Sequence, residues 1–91
     1  MKRKKIEKKL KKLIYARYTI KALESILSDI SKATVELYYN ELDETEGDLL
    51  YSACLGEIKG DWLDYDFFLI PTLQGEGDEV IYLVTGIEPS Y

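Results

Sequence analysis

The chain has no histidine, a single cysteine, two prolines and no long apolar run, and each shortage removes a class of function. Without histidine it lacks the side chain best suited to proton transfer near neutral pH, which excludes Ser-His-Asp and Cys-His nucleophilic arrangements. With Cys54 alone no intramolecular disulfide can form, so burial must stabilise the fold, and a reducing cytoplasm is the expected location. The longest apolar runs, around Phe67 to Ile70 and Val80 to Val84, are strand-sized and far short of the roughly 20 residues of a membrane helix. Lys8, Lys9, Lys11 and Lys12 interrupt the stretch that a secretory signal would need to keep apolar, so no signal peptide is expected.

Positive charge is also missing from most of the chain. Residues 1–32 hold eleven basic residues against three acids, a net of +8, whereas residues 33–91 hold one base against fourteen acids, a net of −13. Clustered like charge sets a local potential and selects partners of opposite sign. With 91 residues, 46% of them hydrophobic and eight tyrosines, the chain reads as one folded domain with a modest core. The expected organisation is a basic helix over 1–32 followed by an acidic antiparallel sheet over 33–91.

From Lys4 to Ile30 there is neither Gly nor Pro, and good helix formers dominate, which predicts one long helix. Leu13, Ala16, Ile20, Leu23, Leu27 and Ile30 alternate at spacings of three and four and form one stripe. Ile6 and Leu10 continue it, but Lys9 interrupts, so the first ten or so residues are expected to be less committed to the core. After Ser31 the period becomes two, predicting strands near 33–42, 48–58, 62–70 and 79–87. Glycine-bearing turns separate them at Asp43–Gly47, Lys59–Asp61 and Gln74–Asp78. The predicted fold is α+β, a long N-terminal helix packed on one face of a four-stranded antiparallel meander sheet. Pro71 should end the third strand, make a bulge or mark an edge. A helix of that length spans ~40 Å against ~30 Å for the strands, so its lysine-rich end is expected to overhang as a basic prong.

Alternation assigns Leu63, Tyr65, Phe67 and Leu69, with Val35, Leu37 and Tyr39, to the helix-facing side. The opposite side then carries Trp62, Asp64, Asp66 and Phe68 with Glu36, Tyr38 and Asn40, an array of acids and aromatics. Such a surface suits the basic groove of a nucleic-acid-handling protein, as a phosphate mimic with aromatic anchors. The plainer alternative is that these acids only prevent edge pairing. Candidate partner contacts are Glu36, Tyr38, Trp62, Asp64, Asp66 and Phe68. Lys4, Lys5, Lys8, Lys9 and Lys12 form a second, basic contact patch, for which a solvated helix end is the alternative.

No enzyme, metal or cofactor motif emerges. Asp61, Asp64 and Asp66, or Glu76, Asp78 and Glu79, are the only oxygen-rich clusters, and their spacing matches no EF-hand loop. Gly75-Glu76-Gly77-Asp78 reads as a hairpin turn, since its acids would repel a phosphate. Cys54, in an apolar strand, reads as a buried small hydrophobe. The expectation is a non-enzymatic binding module without cofactor. In composition, this short, acidic, tyrosine-rich, histidine-free chain resembles the inhibitors that phages encode against host nucleases, including anti-CRISPR and anti-restriction proteins. That likeness implies a basic protein partner, such as a nuclease or CRISPR effector. Two alternatives remain: self-association into a homodimer or assembly through the helix, and direct nucleic-acid binding through the basic helix. The lysine-rich segment lacks the bulky apolar face that membrane-lying helices use.

Overall fold

The computed structural model describes residues 3–40 and 48–90. It is α+β: helices α1 (Arg3–Lys11) and α2 (Ile20–Ser31), and strands β1 (Arg17–Tyr18), β2 (Tyr38–Tyr39), β3 (Leu49–Ile58), β4 (Asp61–Pro71) and β5 (Tyr82–Pro89). The five strands form one antiparallel sheet in the order β1-β5-β4-β3-β2. The last four make the expected meander, and β1 is an additional edge strand. Lys59 and Gly60, both at positive φ, close the two-residue turn between β3 and β4. Pro71 is the last residue of β4, as its missing N–H requires. The Asp43–Gly47 turn and the end of the first predicted strand lie outside the described residues.

The single long helix is corrected to two helices separated by β1. The break falls in Ile14-Tyr15-Ala16-Arg17-Tyr18-Thr19, which is rich in β-branched and aromatic residues. Tyr15 takes a left-handed φ of 69°, its N–H donates to the Val84 carbonyl at 2.7 Å, and the Val84 N–H donates to the Ala16 carbonyl at 3.0 Å. Satisfying the open edge of β5 thus outweighs continuing the helix. Thr19 restarts it as N-cap, its Oγ1 accepting from the Ala22 N–H at 3.1 Å.

The break also removes the basic prong. Ile6 and Leu10 of α1 are each 2% exposed and belong to the same buried cluster as Leu13, Leu23, Leu27, Leu63, Phe67 and Leu69. The first helix therefore lies against the core instead of overhanging it, and Lys9 simply falls on its solvent side. Leu13, Leu23 and Leu27 of the Leu13 to Ile30 stripe are buried in the protein's own core.

Residues 33–37 do not join the sheet, so within its described part the first predicted strand is corrected to Tyr38–Tyr39. They run along α2 as an extended strap whose alternate N–H groups find side chains on the helix. The Val35 N–H donates to Ser28 Oγ at 2.9 Å, and the Leu37 N–H donates to Glu24 Oε2 at 2.8 Å. Period two survives because it sets the side chains too: Val35 and Leu37 are buried as expected. Tyr39 is corrected from core to rim, 39% exposed, with its ring 5.4 Å from that of Tyr51.

Two bulges bend the sheet, between Cys54 and Glu57 on β3 and opposite Phe68 and Leu69 on β5. The concave inner side lets the rings of Tyr51 and Tyr82 meet at 6.1 Å across β4, although their strands are two spacings, ~9.6 Å, apart in a flat sheet. Burial pushes the Tyr51 phenol up to about 12, with help from hydrogen bonding to Tyr82.

Two outcomes follow. Glu24→Ala leaves a part-buried backbone donor at Leu37 without its acceptor and should cost about 1 kcal/mol in urea unfolding, whereas Glu24→Gln, which keeps an acceptor, should cost less. Because the Tyr51 phenol is raised in the folded state, its contribution is complete below pH 10, its unfolded value, and is lost as pH rises towards about 12. Stability should fall across that window, and Tyr51→Phe should flatten the fall.

Candidate functional site

The outer side of the sheet, away from both helices, is where alternation brings the acids and aromatics together. Register makes this concrete. Tyr38 stands opposite Ser52, Ser52 opposite Asp66, and Asp66 opposite Glu88, so one row crosses β2, β3, β4 and β5. On one side of that row Cys54 faces Asp64, and beyond the β3 bulge Glu57 faces Trp62. On the other side Leu50 faces Phe68, which in turn faces Gly86. Among the five strands the only cationic residue is Arg17, on the far edge opposite Leu83.

Each of the six expected partner contacts lies among the described residues. Trp62 and Tyr38 are 62% and 64% exposed, and Asp64 and Glu36 are exposed too. Glu36 sits on the strap just before β2, and its Oε2 accepts from the Tyr38 hydroxyl at 2.9 Å. That contact raises the Tyr38 phenol above its ordinary value. Asp66 is half-buried and accepts from Ser52 Oγ at 3.0 Å. Phe68 is half-buried, and its ring passes over Gly86, where an added Cβ would lie 3.4 Å from Cδ2. All six candidates thus belong to one surface, with Phe68 embedded beside buried Leu50 as its apolar base.

Sequence reasoning missed Ser52, Cys54, Glu57 and Glu88 as parts of this face. Period two puts Ser52 and Cys54 on one side of β3, but which side that is depends on register, and Gly56 at a φ of 124° shifts Glu57 through the bulge. Tyr38, Ser52, Ala53, Cys54, Asp64 and Ser90 line a shallow depression of about 240 Å³. The Ser90 N–H donates to the Asp64 carbonyl at 2.8 Å, holding the chain beyond β5 against its rim.

Lys4, Lys5, Lys8, Lys9 and Lys12 are all exposed, and they occupy the other layer of the domain. The charge polarity therefore runs through the thickness of a two-layer sandwich and not along a spike. Asp64 and Asp66 share the outer face while Asp61 lies at the hairpin turn opposite Ile58. Among the described residues no group of three or more Cys, Asp or Glu is arranged to hold a metal ion. No helix among them is long and apolar enough to cross a membrane.

Cys54 is corrected from buried to exposed, because β3 turns it to the outer side. Partial burial pushes its thiol up, and Asp64 on the facing strand further disfavours the thiolate. It is an accessible but unactivated thiol. Ellman's reagent should therefore label it in the native protein, more slowly than a free cysteine at the same pH, and Asp64→Asn should speed the reaction. Labelling that requires urea would contradict this placement. No family model, curated protein or solved structure matches the chain, so the chemistry of its two faces carries the functional reading.

Proposed function

We propose that the protein is a non-enzymatic binding module whose outer sheet face docks on a positively charged, nucleic-acid-handling protein and blocks it. The observation that supports this reading is the surface on which Glu36, Asp64, Asp66 and Glu88 surround the exposed rings of Tyr38 and Trp62. Carboxylates two residues apart on a strand are ~7 Å apart, and the row crossing the strands adds a second dimension. Fixed negative charges at this density attract a groove lined with lysine and arginine, and orient it before contact. Exposed Trp and Tyr supply large apolar area at small entropic cost, the kind of anchor on which interfaces concentrate their energy.

The depression beside Tyr38 and Asp64 gives the reading a local form. A lysine or arginine side chain entering it would meet Asp64 and Tyr38, an acid for an ion pair beside an aromatic ring suited to a cation–π contact. Rigidity favours the same use. Asp66 is held by Ser52 and Tyr38 is tied to Glu36, so these groups lose little freedom on binding.

The test is capture of partners from host extract on immobilised protein, eluted with a rising salt ramp. Asp64→Lys with Glu88→Lys, both at exposed positions, should abolish capture of any partner that elutes early in the ramp. Trp62→Ala should weaken it by about 2 kcal/mol or more if the ring is an anchor. Capture unchanged by the double charge reversal would remove this face as the binding surface.

A further inference from the structure

We propose that the outward face of α1 is a second binding surface, for the phosphate backbone of duplex nucleic acid, contacted without base specificity. This inference is independent of the partner of the sheet face. Lys4, Lys5, Lys8, Lys9, Lys11 and Lys12 are all exposed while Ile6, Leu10 and Leu13 face the core. Residues 4 to 12 cover ~12 Å of helix axis. A duplex carries one phosphate charge per ~1.7 Å of its own axis with both strands counted, so about seven phosphates lie in a stretch of this length and roughly half of them are on the side that meets the patch.

Three features of the fold make this face more than a run of lysines. The only acid on α1, Glu7, is turned inward, its Oε1 accepting from the Tyr65 hydroxyl at 3.3 Å, so the outward side presents no carboxylate of its own helix. The apolar residues of α1 are buried, which leaves nothing to insert into a bilayer and favours a rigid polyanion over a lipid surface. The acidic sheet face lies on the opposite side of the domain, whose smallest extent is 19 Å, more than two Debye lengths of about 8 Å at physiological salt. Repulsion of phosphate by the carboxylates of that face is therefore screened where the lysines meet it. A second copy of the chain is the weaker occupant, since its acidic face presents a handful of carboxylates where a duplex presents continuous rows of phosphates.

Fluorescence anisotropy of a labelled, mixed-sequence DNA duplex with the full chain tests this. Between about 50 and 200 mM NaCl, log K should fall linearly with log[salt] at a slope of about −3 or steeper, the signature of at least three phosphate contacts. Lys8→Glu with Lys12→Glu should weaken binding by at least about tenfold and make the slope shallower by about 2. No anisotropy change at the lowest salt, or equal binding by the lysine variant, overturns the proposal. So does capture on phosphatidylserine vesicles without duplex binding. Salt-sensitive self-association in sedimentation velocity, lost in the lysine variant and unaccompanied by duplex binding, would assign the lysines to a second copy instead.

Discussion

Burial of the concave inner side of the sheet is the interaction on which the rest of this molecule depends. Phe67, Leu69, Leu63 and Val84 are almost wholly sequestered there, and only an amphipathic layer laid over them can achieve that. Two short helices do so where one long helix could not, because a straight rod of ~40 Å leaves one end in water beyond a curled sheet. Breaking at Tyr15 lets α1 turn back and add Ile6 and Leu10 to the same cluster. Each fully buried leucine contributes about 1.5–3 kcal/mol relative to exposure, while a left-handed non-glycine residue costs about 1–2 kcal/mol. The hydrogen bonds between residues 15–16 and Val84 add to the favourable side. Burial wins, and the break follows from it.

The same burial fixes where the charges go. Once Ile6, Leu10 and Leu13 face inward, the lysines between them face outward on the helical layer. Once Leu63, Tyr65, Phe67 and Leu69 face inward, strict alternation sends Trp62, Asp64, Asp66 and Phe68 to the far side of the sheet. The basic outward side of α1 and the acidic outer side of the sheet, with the buried core between them, are the electrostatic result of one apolar constraint. Local polar bonds then hold the fine positions: Glu24 and Ser28 on α2 secure the strap that delivers Tyr38 to the outer face, and Ser52 steadies Asp66.

Much of this was legible in the residues. Period two along β4 gave both of its faces, the Lys59-Gly60 turn gave the hairpin, and Pro71 gave the end of the strand. What stayed hidden has physical causes. The helix break was invisible to periodicity because both helices bury on one core, so the spacing from Leu13 through Ala16 to Ile20 stays in step across it; the cluster of Tyr15, Tyr18 and Thr19 was the available signal. Residues 33–37 show strand alternation without strand pairing, since their hydrogen-bond partners are side chains at Glu24 and Ser28, a pattern that no local reading distinguishes from a ladder. Cys54 depended on register: β3 is apolar on both sides, with Leu50 outward and Ala53 and Leu55 inward, so its faces could not be assigned until Asp64 was placed opposite.

The most direct measurement is a set of nuclear Overhauser contacts in the labelled protein at near-neutral pH. Packing of α1 on the sheet predicts cross-peaks between the Leu10 methyls and the Tyr65 ring, which line the same small gap, and between the amide of Tyr15 and β5 near Val84. An uninterrupted pattern of helical contacts through residues 12–19, with no contact from Leu10 to Tyr65, would contradict the two-faced arrangement.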